Sequence, residues 1–222
     1  FGNVLIGSGK DEYIIEEKIE AAGTFGIVYK GKNSFTKKPV AIKKINYQTN
    51  AMTKHDEHEL GIWQKTSKEA NQNILQLYEN IDFKNTRYLA FEICEGNLVE
   101  LVEQKGKFNE TELKDLFRQL AHGCMILHEH DYQHRDLRPE NISYITSAEG
   151  KYIYKLADFS LCKDIPYKTH SATIANAGTL LYMAPEVKEY FDESTSWRPK
   201  ATIFTLGLIA IFCLTGKDPA FI

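Results

Sequence analysis

The residues best suited to chemistry lie in the run from His134 to Asn141, which reads His-Arg-Asp-Leu-Arg-Pro-Glu-Asn. An Asp-Phe pair begins downstream at Asp158, and a turn with Gly23 and Gly26 lies far upstream, before Lys43. The backbone N–H groups of a glycine turn can approach phosphate oxygens closely. The ammonium of Lys43 stands in an apolar run, where a charge without a partner is costly. A glycine turn followed by a lysine is compatible with phosphate binding, although the glycines alone fit a tight hairpin without a ligand equally well.

Strands predominate in the first part of the chain. β-Branched and aromatic residues alternate around the glycine turn over 13–30, which predicts a β-hairpin. Helical composition follows over 52–68, with Leu60, Ile62 and Trp63 on the apolar side. Further strands are predicted at 39–45, 74–79 and 88–93, the last two joined at 82–86. The first 93 residues therefore predict five strands and one helix.

Helices predominate after a short polar linker at 94–97. The sequence Asn-Glu-Thr-Glu from Asn109 can cap a long amphipathic helix, whose apolar residues recur at every third or fourth position. A polar loop is expected over 160–178. The remaining predicted elements are a brief helix at 98–103, strands at 142–145 and 152–156, and closing helices at 182–190 and 201–214. Strands first and helices later predict an α+β fold of two lobes with a cleft between them.

The composition describes an ordinary globular protein, with 43% apolar and 26% charged residues. A net charge of −3 gives no reason to expect a nucleic-acid partner. The four cysteines are scattered without metal-ligand spacing, which favours reduced thiols in a cytoplasmic or other intracellular protein. The longest apolar run, 203–214, is too short to cross a bilayer and predicts a buried helix. The sequence carries no signal for oligomeric state.

Five motifs, in order and at matching spacing, resemble the signature of eukaryotic protein kinases, and the residues around them resemble the serine/threonine type. They are Ala-Ala-Gly-Thr-Phe-Gly-Ile-Val at 21–28, Val-Ala-Ile-Lys at 40–43, the run at 134–141, Asp-Phe at 158–159 and Ala-Pro-Glu at 184–186. The resemblance implies a bilobal α+β kinase domain over 13–222. Its parts would be an N-lobe at 13–93 with a five-stranded sheet, a hinge at 94–97 and a mainly helical, partial C-lobe at 98–222.

The resemblance also implies Mg-ATP as the phosphoryl donor. Lys43 would hold the α- and β-phosphates and pair with a helix carboxylate, which we expect to be Glu59, with Glu57 as the alternative. An exposed lysine on an ordinary strand is the other interpretation of Lys43. Phe91 would guard the back of the adenine pocket. The remaining nucleotide contacts implied are Ala21, Gly23 and Gly26 in the glycine turn, Val28 above the adenine, Ala41, and the backbone of Glu92 and Cys94 in the hinge.

The central run would carry the phosphoryl transfer itself. Asp136 resembles the catalytic base that accepts the proton of a serine or threonine hydroxyl on a protein substrate, and Arg138 keeps a positive charge near the transferred phosphoryl. Asn141 and Asp158 would supply oxygen ligands to Mg²⁺, a hard cation. Their separation lets a pair of strands bring them face to face. The clustered histidines, including His134, show no zinc-binding spacing and are expected to have structural roles.

Two departures from the family pattern, Ser160 and Thr202, favour a second interpretation, a pseudokinase that binds nucleotide or acts as a scaffold. The enzyme is favoured by the four intact residues Lys43, Asp136, Asn141 and Asp158. Ser160 stands in place of the Asp-Phe-Gly glycine, Ser143 replaces an apolar residue of the adenine site, and Thr202 replaces an aspartate that accepts backbone N–H bonds from the catalytic loop. In the family, Glu186 usually pairs with an arginine further along the chain. The sequence is therefore either a fragment of a longer chain, which we expect, or a degenerate copy. A small-molecule kinase is disfavoured, because the Gly-Thr at 178–179 resembles part of a peptide-binding loop.

Overall fold

The computed structural model describes residues 4–7, 12–19, 27–45, 54–67, 71–84, 86–160, 162–164, 181–185 and 199–219. The chain forms two compact units, one comprising Phe1–Ala70 with Leu75–Cys94 and the other Asn71–Ile74 with Glu95–Ile222. Three predicted features lie outside the described residues in whole or in large part. They are the glycine turn, nearly all of the loop at 160–178, and most of the helix at 182–190.

The first unit is built on an antiparallel sheet of six strands. They are β1 (Val4–Ile6), β2 (Tyr13–Ile19), β3 (Ile27–Asn33), β4 (Pro39–Ile45), β5 (Leu77–Phe83) and β6 (Thr86–Glu92). They lie side by side in the order β1-β2-β3-β4-β6-β5. Helix α1 (Lys54–Thr66) follows β4 in the chain. The hairpin predicted over 13–30 is confirmed as β2 and β3, and β4 has the predicted bounds.

The side chains of β4 alternate between the hydrophobic core and the opposite face of the sheet. Val40 and Ile42 are buried and belong to the hydrophobic core of the unit, together with residues of four other strands. Successive side chains of a strand point to opposite faces. Ala41 and Lys43 therefore lie on the other face of the sheet. The core residues contributed by the other strands are Ile6, Tyr13, Ile81, Tyr88 and Ala90.

The prediction of five strands in this unit is wrong by one, because it missed β1. β1 pairs antiparallel with β2, from Val4 opposite Ile15 to Ile6 opposite Tyr13. It has three residues, of which Val4 and Leu5 are exposed, so it is too short to show an alternating pattern. The strands predicted at 74–79 and 88–93 are also displaced, because their pairing continues to the turn, where residues 83 and 86 lie opposite each other.

The second unit is mainly helical. Its helices are α2 (Leu98–Lys105), α3 (Glu110–Glu129) and α4 (Pro199–Thr215), in the part of the chain that the structure describes. Its strands are β7 (Gly96–Asn97), β8 (Tyr132–Gln133), β9 (Ile142–Thr146), β10 (Tyr152–Leu156) and β11 (Lys163–Asp164). They form a three-stranded sheet in the order β10-β9-β7 and a separate pair of β11 with β8. A 3₁₀ turn at Pro139–Asn141 leads into β9.

Two capping boxes set where α2 and α3 begin. The side chain of Asn109 accepts from the Glu112 N–H at 3.0 Å, and the Glu112 carboxylate accepts from the Asn109 N–H at 2.9 Å. This confirms the predicted start of the long helix. Asn97 and Glu100 form the same arrangement at the start of α2. The polar linker therefore ends in an ordered N-cap.

Close packing joins α3 to β10 and to the segment at 71–74. A Cβ atom on Gly123 would stand 2.8 Å from the Asn73 carbonyl oxygen and 2.9 Å from Leu156 Cδ1, so α3 can approach this closely only at a glycine. Nearby, the buried Gln119 side chain accepts from Asn73 Nδ2 and from the Tyr154 N–H, both at 2.9 Å. These contacts fix the β9–β10 hairpin against the helix.

Helix α4 confirms the helix predicted at 201–214, but the prediction that it is buried holds on one side only. Leu206 and Ile209 are buried, whereas 66% of Ile203 and 40% of Phe204 are exposed. Apolar residues surround the whole helix, a pattern typical of a helix that is buried on all sides, but the described part of this chain covers only one of those sides. Among the described residues, no helix is both long enough and apolar enough to cross a membrane.

Candidate active site

In the first unit, Lys43 and Glu59 form an ion pair. Lys43 Nζ donates to Glu59 Oε1 at 3.0 Å, and only 16% and 7% of the two side chains are exposed. Strand β4 supplies the lysine and helix α1 the glutamate, whereas Glu57, the alternative partner, is exposed on α1. The structure therefore pairs Lys43 with Glu59. The interpretation of Lys43 as an exposed strand lysine is wrong, because the buried ion pair holds its ammonium.

An aromatic pair supports this ion pair. Trp63, one turn further along α1, donates Nε1–H to the same Glu59 oxygen at 3.4 Å. Its ring meets the ring of Phe91 edge-on at 5.0 Å, and both residues are buried. The Glu59 carboxylate is thus held by two donors in an apolar setting. The sequence showed Trp63 only as an apolar helix residue, although its spacing of four from Glu59 is the spacing of neighbours on one helix face.

In the second unit, His134 holds the backbone around Asp136. His134 Nδ1 accepts from the Asp136 N–H at 3.3 Å, which leaves the proton on Nε2, and Nε2 donates to the Ala157 carbonyl at 3.0 Å. Burial lowers the pKa of His134, against the opposing effect of the Asp136 and Asp158 carboxylates. The ring packs edge-on against Phe159 at 5.5 Å. A neutral histidine therefore ties the run at 134–141 to the segment that carries Asp158.

The side chain of Asn141 orients Asp136. Its Nδ2 donates to the carboxylate Oδ2 and to the backbone carbonyl of Asp136, both at 2.9 Å. The 3₁₀ turn brings the amide back to this position, with the Asn141 N–H bonded to the Arg138 carbonyl at 3.0 Å. Both donors of the Asn141 amide group thus serve Asp136, which leaves Oδ1 as the oxygen that can serve as a ligand.

The β9–β10 hairpin places Asn141 next to the segment of Asp158, as the sequence predicted. Leu156 lies opposite Ile142 in the hairpin, and beyond this pair the Ala157 N–H donates to the Asn141 carbonyl at 3.0 Å. Asp158 has a left-handed backbone, with φ of 61°, and its Oδ1 accepts from the Ser160 N–H at 3.2 Å. The two predicted metal ligands therefore stand at the same open end of one hairpin.

The oxygen atoms at this end of the hairpin fit a magnesium ion. Asn141 offers an amide oxygen and Asp158 a carboxylate, which are hard donors. Mg²⁺ usually takes one or two carboxylates and fills its other positions with water and phosphate oxygens. No group of three or more His, Cys, Asp or Glu side chains that could hold a metal occurs among the described residues. A site with few protein ligands and a phosphate-bearing substrate is the kind that these residues can form.

Arg138 forms a two-pronged ion pair with Glu140. Its Nε donates to Oε2 at 2.8 Å and its Nη2 to Oε1 at 2.5 Å. These bonds raise the pKa of Arg138. Although burial opposes it, the same pair lowers the pKa of Glu140. The guanidinium that the sequence assigned to the transferred phosphoryl is therefore held by a neighbouring carboxylate, which sequence reasoning did not single out.

The structure describes the surroundings of the three residues that depart from the family pattern, Ser143, Ser160 and Thr202. Thr202 Oγ1 accepts from the side chain of Gln133, Nε2 to Oγ1 at 3.4 Å. Ser143 lies in β9 between Lys155 of β10 and Asn97 of β7, on the less buried face of the strand. Ser160 is buried, and its hydroxyl makes no hydrogen bond within the described part of the chain.

The other predicted nucleotide-binding residues belong to the first unit. Val28 and Ala41 lie in neighbouring strands, where Val28 pairs with Lys43 and Ala41 pairs with Phe91 of β6. Glu92 ends β6, and its N–H donates to the Gln76 carbonyl at 3.0 Å. Cys94 follows two residues later. The remaining three residues, Ala21, Gly23 and Gly26, lie outside the described part of the chain.

Comparisons with known proteins identify the family to which this fold and this site belong. The protein kinase domain family matches residues 13–221. Serine/threonine-protein kinase unc-51 of Caenorhabditis elegans is 31% identical over 210 residues, which cover 89% of this chain and 23% of that protein. Serine/threonine-protein kinase 33 of Mus musculus is 30% identical over 222 residues, which cover 96% of this chain and 44% of that protein.

A third relative, calcium/calmodulin-dependent protein kinase type IV of Mus musculus, is 29% identical over 217 residues, which cover 96% of this chain and 44% of that protein. The chain therefore belongs to the protein kinase domain family. It spans less than half the length of these three relatives.

Proposed function

We propose that this protein transfers the γ-phosphoryl group of Mg-ATP to a serine or threonine hydroxyl of a protein substrate. The observation that carries the proposal is the position of Asn141. Its side chain holds the Asp136 carboxylate at 2.9 Å, and its backbone bonds to the residue just before Asp158. One residue thus links the proposed base to the second proposed metal ligand.

The proposed step needs little covalent chemistry from the protein. As the substrate hydroxyl oxygen bonds to the γ-phosphorus and the bond to the leaving phosphate oxygen breaks, Asp136 would accept the hydroxyl proton. Asn141 would keep the carboxylate aimed during this step. Mg²⁺, held by Asn141 and Asp158, would supply charge neutralisation of the phosphates. Lys43, kept in place by Glu59, would add a positive charge at the α- and β-phosphates.

The choice of a serine or threonine hydroxyl and an intracellular setting belong to the same proposal. The relatives described above include two that are named serine/threonine-protein kinases. None of the four cysteines, all within the described residues, forms a disulfide, which suits a reducing compartment. A protein substrate follows from the class of the domain.

Thermal unfolding with and without Mg-ATP tests whether the nucleotide binds. A ligand that binds only the folded state stabilises it by RT ln(1 + [L]/Kd), about 2.7 kcal/mol at a hundred times Kd. We expect a rise in the unfolding temperature that grows with nucleotide and is reduced by EDTA or by Lys43→Met. No rise at millimolar nucleotide, in protein shown to be folded, would exclude both kinase and nucleotide-binding pseudokinase. A rise without phosphoryl transfer would favour the pseudokinase.

A further inference from the structure

A buried polar contact joins helix α4 to the residue just before the catalytic run. Gln133 Nε2 donates to Thr202 Oγ1 at 3.4 Å, and the two residues are 2% and 8% exposed. Burying an amide or a hydroxyl is costly unless it is hydrogen-bonded. This contact is therefore a specific link between β8 and α4.

Gln133 stands where three elements meet. Its backbone pairs with Lys163 of β11, on the segment that follows Asp158, while its side chain reaches α4. The next residue in the chain is His134, which bonds to Ala157 and to the Asp136 N–H. A shift of Gln133 would therefore be passed directly to the residues around Asp136.

The backbone between Gln133 and Asp136 is one that needs support. Arg135 has φ of 66°, in the left-handed region that residues with a side chain rarely adopt. Such a conformation persists only when the surrounding structure over-determines it. Gln133 holds the chain on one side of Arg135, and the Asp136–His134 bond holds it on the other.

We propose that Gln133 and Thr202 are positioning residues for the phosphoryl transfer: their contact fixes the backbone at Arg135 and so places the Asp136 carboxylate. The inference rests on the proposed function. It also gives Thr202 a role. By accepting from the Gln133 amide, its hydroxyl would anchor the catalytic loop at the position where the family pattern has an aspartate. Neither residue would touch ATP or the substrate hydroxyl.

A double-mutant cycle on the purified protein tests this proposal. The variants are Gln133→Met and Thr202→Val, which keep side-chain volume while removing the contact, and their combination. We expect each single variant to lower kcat by about 10- to 100-fold, since small misplacements of catalytic groups have effects of this size. The double variant should be no worse than the more severe single variant. The KM for ATP and the thermal shift with Mg-ATP should stay near their wild-type values. Thr202→Ser keeps the hydroxyl that accepts from Gln133, so its kcat should match that of the wild type.

Several results would overturn it. The contact does not position Asp136 if kcat is unchanged in the single variants or if their losses multiply in the double variant. The same conclusion follows if Thr202→Ser loses as much kcat as Thr202→Val. Loss of Mg-ATP binding in the single variants would show that the pair supports the fold instead. A wild-type protein that binds Mg-ATP without any turnover would refute the proposed function, and this inference with it. Turnover in the wild type with fully active variants would refute the inference alone.

Discussion

Lys43 Nζ and Glu59 Oε1 lie 3.0 Å apart, with a second hydrogen bond to the same oxygen from Trp63. Removing the negative charge should release the lysine that we propose to hold the phosphates. We expect Glu59→Gln to weaken Mg-ATP binding by about tenfold, the value of one charge-assisted hydrogen bond. Isothermal titration or thermal shift measures this change. Glu57→Gln, on the exposed side of α1, is the matched control and should bind as the wild type does; equal losses in both variants would contradict the pairing.

The buried, neutral His134 predicts that the protein is less stable in mild acid. Its pKa is lowered in the folded state, mainly by burial, so the unfolded chain takes up the proton first as pH falls. The free energy of unfolding should therefore fall below about pH 6.5, by up to about 1.4 kcal/mol for each pH unit, until the lower folded-state pKa is reached. Half-buried His128, whose pKa burial also lowers, acts in the same direction. Urea unfolding at several pH values measures the slope.

Two variants separate the effect of His134 from the rest. His134→Asn keeps a donor and an acceptor but cannot titrate, so it should flatten the slope between pH 6.5 and pH 5, in the range of an ordinary histidine pKa. His128→Asn, which removes the other histidine whose pKa burial lowers, should leave the contribution of His134 to the slope in place. An unchanged slope in His134→Asn would mean that this histidine does not control acid stability.

The Arg138–Glu140 pair predicts unequal effects for its two members. If Arg138 acts on the transferred phosphoryl, Arg138→Ala should lower kcat by about 10²- to 10³-fold, the usual loss when one stabilising donor is removed. Glu140→Gln keeps the guanidinium and leaves it one amide oxygen as an acceptor, so it should lower kcat far less. Steady-state kinetics at saturating Mg-ATP compares them. Equal losses in the two variants would show that the pair matters as a structural unit and that Arg138 has no separate role in the transfer.

Local sequence signals were sufficient for most of the fold. The capping box at Asn109 and Glu112 is a contact between residues three apart, and the sequence alone placed the start of α3 correctly. β4 and the β9–β10 hairpin were likewise predicted from short apolar patterns. β1 was missed because three residues carry no period, and the exposed side of α4 because a helix that is apolar all round does not show which face is covered.

The sequence named the residues of the candidate site, and the structure adds contacts between them that the sequence did not show. The Lys43–Glu59 pair followed from motif spacing, and the structure resolved the choice against Glu57. The Gln133–Thr202 contact joins residues far apart in sequence, so no local pattern could reveal it. The ion pair of Arg138 with Glu140 joins residues only two apart. The sequence could not determine it, because each of the two long side chains has several possible rotamers.

The roles proposed for Asp136 and Asp158 predict different losses. Asp158→Asn removes a proposed metal ligand, so Mg-ATP binding and turnover should weaken together. Asp136→Asn should leave nucleotide affinity nearly intact, because Asp136 would meet the substrate hydroxyl and not the metal. The thermal shift with Mg-ATP measures nucleotide binding in both variants. A loss of affinity in Asp136→Asn as large as that in Asp158→Asn would contradict this division of roles.

Phosphoryl transfer from γ-labelled ATP to a generic basic protein, followed by phosphoamino-acid analysis, tests the central claim most directly. Wild type and Asp136→Asn are compared at the same concentration of Mg-ATP, with binding of the nucleotide verified in both. We predict label on serine or threonine with the wild type, negligible label on tyrosine, and none above background with Asp136→Asn. Wild-type protein that binds Mg-ATP yet labels no more than the Asp136→Asn variant would contradict the account and identify a pseudokinase.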